Sequence, residues 1–296
     1  MLRVGIIGNS NRLQEQIQLL NDIRLFSIVG FMPADQTTEE SIKHDIPIYH
    51  DIDGLSAKCD AIIILDSYFA NFKNLSALIR KTKPVFLERT RYLSITERQQ
   101  LYRLAQESGW KVQVSNKMLH RPIVKSTKQL VNFPKIIEFA STYPLRGDDQ
   151  FKPIPTKIFQ EISLIHYLTN SRIKKMNVKA TSINIPKSID AMHLRLDFMS
   201  GTISNIMASR IAHESCRTCK IYQPGGFIQA NLITNEISTN YSNYTSLEEF
   251  TSPFVSEMTE FYNHITSNAT ITFSLAEEIT IWETIDEILH KLKLSF

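Results

Sequence analysis

Three stretches of the chain gather side chains able to do chemistry. Residues 82–90 read TKPVFLERT, where the apolar burst Val85-Phe86-Leu87 stops at a carboxylate and a guanidinium, Glu88 and Arg89. Such a pair can hold an anion or a carbonyl oxygen, or it can be a surface ion pair at a strand end; position alone favours neither reading. Cys216 and Cys219 form the motif CRTC, with Cys59 remote. No second CxxC or close His cluster completes a tetrahedral zinc set. A redox dithiol opens a helix after a strand, whereas IAHESCRTCKIYQ reads as strand, so these are expected to be ordinary thiols of a reducing compartment. In IFQEISLIHYL, Glu161 and His166 are titratable, but His166 sits beside apolar neighbours and is expected to pack.

The elements that must position Glu88 and Arg89 alternate between strand and helix. Leu2–Ile7, Phe26–Phe31, Ala61–Leu65, Val85–Leu87 and Lys111–Val114 are short apolar runs. Runs apolar on both faces belong to a parallel sheet covered by helices. Between them, Asn11–Leu20 and Phe69–Arg80 carry apolar residues at helical spacing. Ser94 with Glu97 forms a capping box, and Gly109 ends the helix that follows. This rhythm predicts an α/β, Rossmann-like, doubly wound parallel sheet. Ligands of such sheets bind beyond the carboxyl ends of the strands, where strand order reverses. Glu88 and Arg89 emerge at that edge.

The pattern changes after Arg121-Pro122. AMHLRLDFMSGTISNIMASR alternates, with Met192, Leu194, Leu196 and Phe198 on one side and His193, Arg195 and Asp197 on the other. Ser200-Gly201 and Pro224-Gly225-Gly226 make turns. The expectation is an α+β domain with a mostly antiparallel open sheet, one face covered. Helices are expected near 158–168, 253–266 and 275–292. The boundaries drawn are 1–118 for the Rossmann-like domain and 119–296 for the second.

Composition excludes several classes. The 296 residues are 43% hydrophobic and 21% charged, and 33 basic against 30 acidic residues leave a net charge of +3. That balance argues against nucleic acid or an anionic membrane surface as partner. The start MLRVGIIGN is too short an apolar run for a signal peptide, and no stretch reaches the length of a membrane span. A cytoplasmic protein is expected.

With its elements in this order, nearly the whole chain resembles the Gfo/Idh/MocA family of NAD(P)-dependent oxidoreductases. RVGIIG resembles the family's first strand and turn, DIPIYHDIDGL its short strand and following loop, and CDAIIIL with KTKPVFLER the stretch that ends in Glu-Lys-Pro. LSITERQQLYRLAQESG resembles the helix after that motif, LDFMSGTISNIMAS the hairpin of the second domain, and PFVSEMTEFYNHI the penultimate helix. The resemblance implies hydride transfer between NAD or NADP and a small sugar-like or carbonyl substrate, no metal, and a homo-oligomer formed through the C-terminal sheet.

The same resemblance assigns site residues and exposes departures. A dinucleotide fingerprint, G-x-G-x-x-G, uses its glycines for a tight turn, for close approach of the pyrophosphate and for helix–strand packing. The matching stretch Gly8-Asn9-Ser10-Asn11-Arg12-Leu13 keeps only the first. Gly8, Ser10, Asn11 and Arg12 are the expected cofactor contacts of a weakened site. Asp35, a few residues late, stands for the ribose-binding acid. The family's Glu-Lys-Pro is Glu88-Arg89-Thr90 here, so Arg89 can bind an anion but cannot give up a proton near neutral pH. Gln160 falls near the position of the family's catalytic histidine and does no acid/base work. Arg89, Gln160 and Glu88 are thus the catalytic candidates, and Arg121 with His120, at an arginine–proline motif, the substrate-binding candidates. Two functions follow: an oxidoreductase with an atypical active site, or a family member without catalysis that binds a small molecule or serves as a dimeric interaction module.

Overall fold

A computed structural model describes residues 1–8, 13–33, 46–65, 69–88, 90, 93–144, 158–183, 189–241 and 251–293. The chain forms two units. One is Met1–Lys117 with Thr251–Thr280, and the other is Met118–Phe250 with Ile281–Phe296.

In the first unit, the apolar runs become strands whose side chains are largely buried. Strands β1 (Leu2–Ile7), β2 (Phe26–Met32), β3 (Ala61–Ile64), β4 (Val85–Leu87) and β5 (Val112–Val114) pair in parallel in the order β2-β1-β3-β4-β5. Every residue of β3 and β4 is buried. Five helices among the described residues cover or connect them. Helices α1 (Leu13–Ile23), α2 (Ile52–Lys58) and α3 (Phe72–Arg80) precede α4 (Ile95–Ser108), which opens on the Ser94–Glu97 capping box and closes on Gly109 at φ 64°. Asp51 caps α2 by accepting from the Gly54 N–H at 2.6 Å. This capped turn brings Leu55 onto the sheet, where a Cβ on Gly5 would lie 2.8 Å from it. The glycine in RVGIIG is therefore required by close packing.

The fifth helix comes from far along the chain. The helix Pro253–Ser267 (α7 in chain order) places Phe254, Met258 and Phe261 in one core with Val4, Phe26, Phe31 and Phe86. Phe86 and Phe261 have ring centroids 5.7 Å apart. Burial of each such side chain contributes about 1.5–3 kcal/mol. At the helix's end, Lys111 Nζ donates to the carbonyls of His264 and Ile265, both at 3.1 Å. Residues 251–280 thus group with the first unit, beyond the boundary drawn at 118/119. The sheet of the first unit needs an apolar cover, and this helix supplies it.

The second unit is built on a seven-stranded sheet in the order β12-β11-β10-β6-β9-β8-β7. Its strands are β6 (Ile136–Thr142), β7 (Ile173–Thr181), β8 (Ala191–Phe198), β9 (Ile203–Ser209), β10 (Cys216–Gln223), β11 (Gly226–Asn231) and β12 (Glu236–Thr239). All neighbours are antiparallel except β6 and β9. The alternation in β8 is as expected: Met192, Leu194, Leu196 and Phe198 are buried. Helices α5 (Pro122–Leu130) and α6 (Phe159–Thr169) lie in this unit. Helix α8 (Leu275–Lys293) gives Leu275–Thr280 to the first unit and the remainder to the second. The opposite face of the sheet is open, with Ile136, Met207, Tyr222 and Phe227 exposed on it. No helix among the described residues is long and apolar enough to cross a membrane.

Candidate active site

The carboxyl ends of the parallel strands form a continuous rim. The Gly8 N–H donates to Met32 O at 3.2 Å, Leu65 N–H to Ile7 O at 2.8 Å, Glu88 N–H to Ile64 O at 2.9 Å and Ser115 N–H to Leu87 O at 2.8 Å. Each of these residues is the first beyond its strand or next to it, so the ladder carries them to a common edge. Strand β2 lies on one side of β1 and β3 on the other. Gly8, buried, thus stands at the point where strand order reverses, the usual ligand crevice of such sheets. Ser10, Asn11, Arg12, Asp35 and Arg89 lie outside the described residues.

Glu88 is described, and its carboxylate has a partner that the sequence reading did not name. Lys117 Nζ lies 3.0 Å from Glu88 Oε1, with the lysine side chain 38% and the glutamate 19% exposed. The ammonium also sits 5.5 Å from the centroid of the Phe254 ring. Immediately before Lys117, the Ser115 hydroxyl donates to Glu257 at 2.9–3.0 Å and the Asn116 N–H donates at 2.7 Å. Glu257 is fully buried. Burial pushes its carboxyl up to about 7, against the opposing pull of the Ser115 and Asn116 hydrogen bonds and of Lys117. Thr90, third in the ERT triplet, is buried, donates its hydroxyl to Glu278 and accepts from Arg98 Nη2 through its carbonyl at 2.9 Å. The backbone on both sides of position 89 is therefore held in place.

In the second unit the candidates are placed differently. Gln160 is exposed on α6. Its neighbour Glu161 is fully buried and accepts from Ser141 Oγ at 2.9 Å, Tyr143 OH at 2.8 Å and Arg217 Nε at 3.1 Å. Burial and the Glu161 carboxylate raise the Tyr143 phenol well above its usual range. Arg121 Nη2 donates to Leu232 O at 2.6 Å and Asn235 Oδ1 at 2.5 Å, clamping the turn between β11 and β12. His120 is buried, and desolvation with Lys125 nearby pushes its imidazole down to about 3, so it is neutral at physiological pH. His166 is half-buried in the last turn of α6. CRTC is strand, as expected from the sequence, and all three cysteines are free. Cys219 is buried, and burial pushes its thiol up to about 12, which makes it a poor nucleophile. Among the described residues no group of three or more His, Cys, Asp or Glu could hold a metal ion.

Lys117 and Glu257 could have been found. Lys117 follows VQVSN as Glu88 follows VFL, so the strand-end argument applies equally to β5. Glu257 is an acid set three residues after Phe254 and four before Phe261, on the helix face that must be buried.

The comparisons agree with this geometry. Residues 2–116 match the oxidoreductase family with NAD-binding Rossmann fold, Gfo/Idh/MocA. No curated protein matches the chain in sequence. Among solved structures, UDP-N-acetylglucosamine 3-dehydrogenase GnnA from Acidithiobacillus ferrooxidans is 15% identical with a TM-score of 0.82, over 97% of this chain and 96% of that one. A dehydrogenase (MviM) from Clostridium difficile is 15% identical with a TM-score of 0.81, over 98% and 99%. Biliverdin reductase from Synechocystis, solved with biliverdin and NADP+, is 14% identical with a TM-score of 0.72, over 98% of each chain. The match to the Gfo/Idh/MocA oxidoreductase family is carried by residues 2–116, and over nearly its whole length the chain shares the two-sheet fold of these solved structures.

Proposed function

We propose that this protein is a cytoplasmic oxidoreductase that binds NAD or NADP along the strand-end rim of its first unit and transfers a hydride to or from a small sugar-like or carbonyl substrate, with an atypical active site. The observation that carries the reading is Gly8, buried beyond β1 where strand order reverses, in a segment matched to an NAD-binding family. In this reading Gly8, Ser10, Asn11 and Arg12 meet the pyrophosphate, aided by the field of a helix N-terminus, and Asp35 meets the ribose. Arg89 holds an anionic or carbonyl group beside Glu88. Gln160 orients at most, because an amide moves no proton at useful pH. Arg121 is already engaged by Leu232 and Asn235 and His120 is buried, so both act on substrate only through that framework.

Ser10 and Leu13, in place of two fingerprint glycines, together with Gln160, favour a second reading: a member that has kept the fold and binds a small molecule without hydride transfer. Either form is proposed to pair through the open sheet face. There Phe227, Tyr222, Ile136 and Ile203 are neighbours across four adjacent strands.

Fluorescence titration with NADH and NADPH separates the readings. Saturable binding is expected, with affinity about 10- to 100-fold below that of a relative with the full fingerprint, as the loss of one or two good contacts implies. Absence of binding at millimolar cofactor overturns the oxidoreductase in favour of the second reading. Tight binding overturns the account of Ser10 and Leu13. For a carboxylate ligand found by thermal shift, Arg89→Ala is expected to weaken binding about tenfold or more, since a charge-assisted hydrogen bond is lost. An unchanged affinity removes Arg89 from the site.

A further inference from the structure

Lys117 has the features of a ligand-contacting group and few of a structural one. It stands beyond β5, on the same rim as Gly8 and Glu88, with Ser115 N–H closing the ladder to Leu87 O at 2.8 Å. Its ammonium lies over the Phe254 ring, and the backbone just before it is fixed by Glu257 through Ser115 and Asn116. One N–H of the ammonium goes to Glu88. An ammonium has three donors, and among the described residues no other acceptor is recorded for Lys117. A half-exposed ion pair of this kind adds little to stability, so its role is to aim the amine. An aimed, half-exposed cation beyond the carboxyl end of a parallel strand faces the region where such sheets take ligands.

We infer that Lys117 is the cation through which this rim contacts an oxyanion of its ligand, either a phosphate of a dinucleotide or a carboxylate of the substrate. Glu88 and Glu257 are its positioning residues. The inference rests on the proposed use of the rim as a ligand site and names a contact that the sequence reading did not contain.

The test uses the full-length protein grown with lysine carrying 13C at Cε, so that each ammonium keeps its three N–H donors. The Lys117 resonance is assigned by its loss in Lys117→Arg. Separate titrations use NADH, inorganic pyrophosphate and oxalate, with NADH binding followed independently by fluorescence. A saturable shift of the Lys117 signal is expected with NADH or pyrophosphate if the oxyanion is a phosphate, and with oxalate alone if it is a carboxylate. Lys117→Met is then expected to lower affinity for that probe about tenfold or more. Glu88→Gln is expected to weaken it less than Lys117→Met does, and Glu88→Asp, which keeps a carboxylate for the amine, to restore most of the affinity. If NADH binds by fluorescence while the Lys117 signal stays fixed in all three titrations, the inference fails and the dinucleotide reading stands. If NADH does not bind but pyrophosphate or oxalate moves the signal, the dinucleotide reading fails and the oxyanion contact stands. If nothing binds and nothing moves, both fail.

Discussion

Glu257→Gln is expected to make the protein more stable at pH 8 while leaving it nearly unchanged at pH 4.5. In the folded chain the Glu257 carboxyl titrates at about 7, against an ordinary 4.5, because burial penalises its charged form. The folded state therefore holds a proton between those two values that the unfolded state has released. By linkage, stability falls as pH rises through that window and stays low above it. Below 4.5 both states are protonated and the contribution is fully present. The full span is on the order of 3 kcal/mol. A glutamine keeps an oxygen for the Asn116 N–H and an amide for the Ser115 hydroxyl, and carries no charge to desolvate. Urea unfolding at pH 4.5 and 8.0 checks this, read as the difference between variant and wild type. His120 acts in the opposite sense: with its imidazole at about 3 in the folded state, it withdraws stability as pH falls below 6.5. Because His120 is common to both proteins, it cancels in the difference. An equal stability difference at the two pH values would show that the Glu257 carboxyl titrates alike in the folded and unfolded states.

The second large effect belongs to a buried ion pair in the second unit. Asp190 is fully buried, and the side chain of Arg210 is 3% exposed. Arg210 Nε lies 2.7 Å and Nη2 2.6 Å from Asp190 Oδ1, and Oδ2 accepts from the Ile183 N–H at 2.7 Å. The pair ties the end of β7 to the start of β8 and the segment after β9. Asp190→Ala strands a guanidinium in the interior and is expected to cost about 3–5 kcal/mol. The double variant Asp190→Leu with Arg210→Met removes the uncompensated charge and is expected to recover most of that loss. Chemical denaturation of the three proteins decides it. A loss under about 1 kcal/mol for Asp190→Ala would mean that water or a neighbouring group reaches Arg210.

Much of the fold was legible because its signals are local. The aliphatic run at 61–65 specified a doubly buried strand, Ser94 and Glu97 a helix start, and the period of two in 191–198 a sheet with one covered face. The helix Pro253–Ser267 was legible as a helix, but its partner was not. An apolar stripe states that a surface must be covered and leaves open which one. The same asymmetry governs the site. Glu88 could be placed because a strand and its end are read from adjacent residues. Arg121 binds Asn235, more than a hundred positions away, and nothing near either residue announces it. Glu161, next to Gln160 in sequence, is held by Ser141, Tyr143 and Arg217 from two different strands. Its burial is a property of the sheet it faces.

Because Thr251–Thr280 completes the unit that begins at Met1, the nucleotide-type sheet cannot be finished in the order in which it is synthesised. A ribosome releases β1 to β5 well before Phe254, Met258 and Phe261 exist to cover them. Over that interval the nascent chain carries a bare greasy surface. Its maturation waits on a helix that is made long after β5.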